Sequence, residues 1–97
     1  MQNENLEAVQ KLAVDLRTEE PRSPSKELGG YELAARTLDK CRASLVGCNG
    51  EFTFNCPMDQ RFFASSGIGA DEFREFVATG ADDSAVGDWI KERSRIG

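Results

Sequence analysis

The chain has no histidine among its 97 residues. That removes the side chain that titrates near neutral pH, the commonest metal ligand, and every serine–histidine or cysteine–histidine nucleophile pair. Cysteine is scarce and odd in number: Cys41, Cys48 and Cys56, with six and seven residues between them. That spacing suits neither a disulfide framework nor the close ligand pairs of a structural zinc site, so free thiols and no metal are expected. No apolar run approaches the roughly 20 residues that a membrane helix needs, so no membrane association is expected. Positive charge is short as well. Twelve Lys and Arg stand against 17 Asp and Glu, a net charge of −5. Duplex binding relies on Lys and Arg displacing counterions, so nucleic acid is not an expected partner. Residues Met1 to Glu7 are polar and acidic, without the basic-then-apolar order of a secretory leader, and a cytoplasmic location is expected.

What is present suffices for a core. Apolar residues make up 39% of the chain and include six Phe, one Trp and one Tyr, enough for one domain spanning residues 1–97. Leu6, Val9, Leu12, Ala13 and Leu16 recur at helical intervals and predict a helix over residues 5–16. Pro21, Ser23, Pro24 and Ser25 mark a loop, in which Ser23 before Pro24 can open a single helical turn. Ala34, Leu38, Cys41 and Leu45 place a helix over 31–46, with Glu32 and Arg36 in the favourable four-residue order. Phe52-Thr53-Phe54 alternates like a short strand, or like an extended segment laid on helices. Three further helices follow: from Cys56-Pro57 to Ser66, from Gly69 to Thr79, and from an Asp82 or Asp83 cap through Val86, Trp89 and Ile90. Short helices with glycine stops predict a mainly α fold: a compact orthogonal bundle of about five short helices with one short extended segment. Leu38, Cys41, Leu45, Phe62, Phe73, Phe76 and Trp89 are its expected core.

Two kinds of chemistry-bearing residue stand out. The acidic pairs Asp71-Glu72 and Asp82-Asp83 fall at helix starts, where negative charge is stabilising. The basic set is less ordinary. Arg17 and Arg22 flank the proline loop, Arg36 and Arg42 follow on the next helix with Lys40, and Gly30 precedes that helix. Glycine before a helix allows an anion to approach the backbone. Arg17, Arg22, Gly30, Arg36 and Arg42 are therefore candidate residues for holding a phosphate or carboxylate. The competing reading has the same arginines pin the loop by pairing with Asp15, Asp39 or helix carbonyls. Cys56 sits at a helix start, where the dipole favours a thiolate, with no imidazole to activate it.

The strings Asp15-Leu16-Arg17-Thr18, Pro21-Arg22-Ser23-Pro24, Leu28-Gly29-Gly30-Tyr31, Arg36, Leu38-Asp39-Lys40, Arg42-Ala43 and Met58-Asp59 resemble a family of short bacterial proteins catalogued as a domain of unknown function. The resemblance covers about Asp15 to Trp89 and lies in the order and spacing of the strings. It implies a bacterial, intracellular, stand-alone domain and assigns no catalytic residue. Some similar chains run on past the position of Gly97, which leaves open whether the chain is full length.

Together these readings predict a non-catalytic binding module for a small anionic ligand or a protein partner, without a cofactor. The alternative is a small enzyme with Asp39 or Asp59 as base and arginine anion clamps. Lacking histidine, it would need a carboxylate raised in pKa by burial.

Overall fold

A computed structural model describes residues 4–94. The fold is mainly α, with five helices: α1 (Leu6–Leu12), α2 (Ala34–Leu45), α3 (Pro57–Ser66), α4 (Ala70–Val77) and α5 (Asp83–Ser94). Among the described residues no strand forms, and one isolated bridge joins Leu28 to Tyr31.

Local chemistry explains most helix ends. Asn5 caps α1, its side chain accepting from the Ala8 N–H. α1 stops at Leu12, four residues short of the apolar stripe, because Ala13 turns extended (ψ 143°). Leu16 is buried all the same, since the extended segment docks on the turn after α2 and the Leu16 N–H reaches the Cys48 carbonyl at 2.9 Å. Of the stripe, Val9 and Leu16 are buried, Leu12 and Ala13 are partly covered, and Leu6 is exposed, so periodicity overstated both the buried face and the helix length. Pro57 opens α3, where its missing N–H costs nothing, and Gly67 closes it at φ 77°. In α4 the Glu72 carboxylate turns back to accept from the Gly69 N–H at 2.8 Å, and at the start of α5 the Asp82 carboxylate reaches forward to accept from the Ala85 N–H at 2.9 Å.

α2 starts at Ala34 rather than Tyr31, because Leu33 is left-handed (φ 74°). Glu32 is thereby outside the helix, and the expected Glu32–Arg36 pair does not form among the described residues. Ser23-Pro24 makes a turn and no helix.

α2 is the central element and contacts α1, α3 and α4. Ala34, Leu38 and Cys41 join Phe62, Phe63, Phe73, Val77, Val86 and Ile90 in the core. Phe54 lays its ring against Phe63 and Phe73, so the segment around it is the extended strip on the helices rather than a strand. Leu45, Phe76 and Trp89, expected inside, are only partly buried and flank this core.

Candidate functional site

Nine of the twelve residues of α2 are buried, and Thr37, Asp39, Lys40 and Arg42 are among them. A buried charge must be paired, since isolated ions are strongly disfavoured away from water. α2 pairs its three buried charges in two networks, Asp39 and Arg42 in one and Lys40 in the other.

Asp39, whose side chain is 3% exposed, receives the Arg22 guanidinium as a fork, at 2.9 Å and 3.0 Å, and the Arg22 backbone N–H at 2.9 Å. Arg22 also reaches Asp83 at 2.7 Å. Arg42, buried on α2, donates to the other Asp83 oxygen at 3.0 Å and to the Ala81 carbonyl at 3.0 Å. Asp83 is thus held between two guanidiniums. Partial burial pushes its pKa up, but Arg22 and Arg42 more than offset this and hold it below the ordinary carboxylate value. One cluster therefore ties the proline loop, α2 and the start of α5 together. Arg36 joins through the Arg22 carbonyl, at 3.2 Å, and lies over the Phe52 ring.

The five candidate anion-binding residues do not converge on one open space. Arg22, Arg36 and Arg42 share the cluster just described. Arg17 is apart and exposed, paired with Asp15 at 2.9 Å. Gly30 lies in the turn bridged by Leu28 and Tyr31 and is exposed at φ 89°. A cleft of about 560 Å³ does open beside the cluster, on an apolar floor of Leu12 and Val14. Its walls carry Glu19, Glu20, Asp39, Asp82 and Asp83 against Arg22 and Arg42, so its balance is acidic. Asp59 is not among its walls, so the two carboxylates considered as bases occupy separate places.

Asp59 is the centre of a second network that sequence reasoning missed. Its side chain is 1% exposed and faces the Lys40 ammonium, itself 5% exposed, at 3.1 Å. Thr37 donates to Asp59 at 2.9 Å, and the Asn55 and Cys56 N–H groups at 2.8 and 3.4 Å. Lys40 also donates to the Cys56 sulfur at 3.0 Å. Asp59, the third residue of α3, caps that helix and anchors it to α2 at once. Thr37 and Lys40 are three apart on a helix and so share a face; that spacing, with a carboxylate in the first turn of a later helix, was the available signal.

A third feature lies on the outer side of α4 and α5. Phe76 and Trp89 stack with ring centroids 4.9 Å apart and planes within 6°. Both rings line two hollows, one of about 590 Å³ with Ala85, Asp88, Lys91 and Glu92, the other of about 220 Å³ with Glu72, Glu75, Thr79 and Arg93. Arg93 lies over the Trp89 ring and pairs with Glu72 at 3.1 Å.

No helix among the described residues is long and apolar enough to cross a membrane. Nor do three Cys, Asp or Glu side chains gather there in a group able to hold a metal ion. Fold and charge network together define a small helical domain braced by ion pairs on one buried helix. The chain belongs to the family described as a domain of unknown function (DUF5069), whose model matches residues 18–96. That span takes in the proline loop, the Arg22–Asp39–Asp83–Arg42 cluster and the Lys40–Asp59 network, while Asp15 to Arg17 fall before it. A comparison with curated proteins returned no match.

Proposed function

We propose that the chain is a non-catalytic binding module whose partner is a protein, and that the partner presents a basic segment with an apolar side chain to the face formed by α4 and α5. The observation that carries the reading is the Phe76–Trp89 stack. It is a partly exposed aromatic wall shared by two hollows, and aromatic residues of this kind are the usual anchors of interfaces. Glu72, Glu75, Asp88 and Glu92 stand around it against Lys91 and Arg93, so the rim favours a basic partner. The arginines support a protein partner over a small anion, because Arg17, Arg22, Arg36 and Arg42 already donate to carboxylates or carbonyls. A carboxylate base is disfavoured on the same ground. Asp39 and Asp59 are each already engaged within the fold, Asp39 by Arg22 and Asp59 by Lys40, Thr37 and the Asn55 N–H. The setting of the reading is the cytoplasm of a bacterium, in keeping with three free thiols and with the resemblance noted above.

Trp89 is the only tryptophan, so its fluorescence reports on this face. Titration with peptides that pair Lys or Arg with Leu or Phe should shift the emission and saturate, whereas acidic peptides of the same length should not. Charge reversal at exposed Asp88 or Glu92 (Asp88→Lys, Glu92→Lys) should weaken the basic peptides without lowering the melting temperature. Equal response to acidic and basic peptides, or binding indifferent to both reversals, removes the reading. A second reading keeps a small anion at the acidic cleft, because Arg42 Nε, buried on its wall, has no acceptor among the described residues. Stabilisation by phosphate that is lost in Arg42→Lys would favour it.

A further inference from the structure

Cys56 stands outside the module just proposed, and its surroundings are unusual for a structural thiol. It is half-buried at the start of α3, with the Met58 and Asp59 N–H groups directed at its sulfur. A helix start alone would be unremarkable. The independent feature is Lys40, which crosses from α2 with a side chain only 5% exposed and ends 3.0 Å from the sulfur. Asp59 satisfies the lysine charge already, at 3.1 Å, yet the ammonium is shared with the thiol. Burial raises the thiol pKa, but the Lys40 donation and the backbone N–H groups outweigh it and leave Cys56 below its ordinary value. The missing imidazole is replaced by an ammonium. Cys41, by contrast, is fully enclosed and pushed up to about 12, so the chain holds one thiol tuned toward the thiolate and one tuned away from it.

We propose that Cys56 and Lys40 form a modification site for small hydroperoxides, at which the thiolate is oxidised to a sulfenic acid and then captured by the Lys40 amine in a sulfur–nitrogen bond. In the first step the thiolate attacks the terminal peroxide oxygen. The oxygen–oxygen bond breaks, a sulfur–oxygen bond forms, and the departing alkoxide or hydroxide takes a proton from water. Sulfur gives up two electrons and the hydroperoxide takes them. In the second step the Lys40 ammonium passes one proton to Asp59, and the amine attacks sulfur. The sulfur–oxygen bond breaks, and the leaving hydroxide takes a second amine proton to become water. Asp59 retains the first proton, so charge and atoms balance. Sulfenic acids are known to condense with nitrogen in this way. The product links α2 to α3 covalently across a contact that is already in place. Attack by one external thiol on sulfur releases the Lys40 amine and leaves a mixed disulfide, and a second thiol then frees Cys56.

The test uses the full chain in its native state, treated with limiting hydrogen peroxide. Remaining thiols are then alkylated and the chain is cleaved after glutamate. Glu51 separates Lys40 from Cys56, so the two fall in different peptides. The expected product is a linked pair, lighter by two hydrogen atoms than the sum of its parts, with both Cys41 and Cys48 alkylated. It should vanish after reduction by dithiothreitol and be absent in Cys56→Ser and in Lys40→Met. Cys56 should be consumed measurably faster than Cys48, because Lys40 stands at its sulfur. A linked pair with only one of Cys41 and Cys48 alkylated is a disulfide and overturns the proposal. So does accumulation of sulfinic acid at Cys56 with no link, or oxidation of Cys48 at the same rate. Because the decisive reading is made on the unaltered chain, a failure of Lys40→Met to fold leaves it intact.

Discussion

Arg22 grips Asp39 with three donors, two from its guanidinium and one from its own backbone N–H. The planar fork matches the carboxylate in a way that a lysine ammonium does not. The same guanidinium extends to Asp83, so one side chain joins positions 17 and 61 residues away in sequence. The proline loop is held by this grip, with Pro21 buried beside it.

Removing the guanidinium should therefore destabilise the domain. Arg22→Ala leaves the Asp39 carboxylate buried with one donor. Breaking a buried pair costs about 3–5 kcal/mol, and because Arg22 is 31% exposed the loss should fall near the lower end. Arg22→Lys should recover little of it. Urea denaturation is the measurement, with a lower midpoint at unchanged slope as the expected result. A wild-type midpoint in Arg22→Ala would show that the grip carries no stability.

Acid and alkali should act on different residues. Asp83 and the exposed Asp15 both have folded pKa values below the usual 3.8, held down chiefly by their arginine partners against burial. A depressed carboxylate binds protons more readily when unfolded, so its contribution is present above the ordinary value and lost as pH falls through the folded one. Stability should thus decline below about pH 4, and Asp83→Asn should flatten that decline. Cys41 works the other way. Burial raises its pKa from 9.0 to about 12, so its contribution is complete below 9.0 and fades as pH rises toward 12. The slope in that window should be about 1.4 kcal/mol per pH unit, and Cys41→Ala should remove it. Denaturant midpoints across the two ranges decide both points.

The neighbouring glycines should differ sharply. Both are left-handed, at φ 64° for Gly29 and 89° for Gly30. A Cβ on Gly30 would meet nothing, so Gly30→Ala should lose only the conformational term, about 1–2 kcal/mol. A Cβ on Gly29 would sit 2.8 Å from Ile90 Cβ and 2.9 Å from the Gly87 carbonyl. Gly29→Ala should therefore lose clearly more and push the turn off α5. Thermal melts of the two variants, side by side, check the difference.

In the core, Phe73 and Phe76 should separate in the same manner. Phe73 is fully buried and meets the Phe62 and Phe63 rings edge-on, at 5.8 and 5.5 Å. Phe73→Ala should cost about 3–5 kcal/mol. Phe76→Ala should cost less, because its ring is only partly covered. Equal losses would mean that the outer stack is as closed as the core.

That last pair marks where sequence reading ran out. Phe73, Phe76 and Val77 fall on one helical face, and periodicity alone gives all three the same inward direction. α4 is short and lies at the edge of the bundle, so only part of that face meets α2 and α3, and Phe76 and Trp89 turn to each other instead. The helices themselves were legible, because glycine stops, caps and Pro57 are local signals. Leu33 was not: nothing about a leucine announces a left-handed backbone, and its position moved the start of α2 and took Glu32 out of register. For the site, composition drew attention to the arginines because they are crowded in an acidic chain. It could not show that Asp83, 61 residues beyond Arg22, would neutralise two of them. Lys40 looked like one more member of the basic set, and its burial against Asp59 and Cys56 depends on how α3 packs across α2.

The grip of Arg22 on both Asp39 and Asp83 also bears on the order in which the chain assembles. Asp39 is available once α2 exists, but Asp83 arrives only when the last helix has docked. The complete contact needs the loop, α2 and α5 together, and we expect it to be absent from the folding transition state. Interactions absent from the folding transition state act on the rate of escape from the native basin and leave the rate of entry nearly unchanged. Asp83→Ala should accordingly raise the unfolding limb of the chevron at unchanged slope while the refolding limb stays in place. The proline loop then behaves as a latch set at the end of folding, and its main effect is on how long each molecule stays folded.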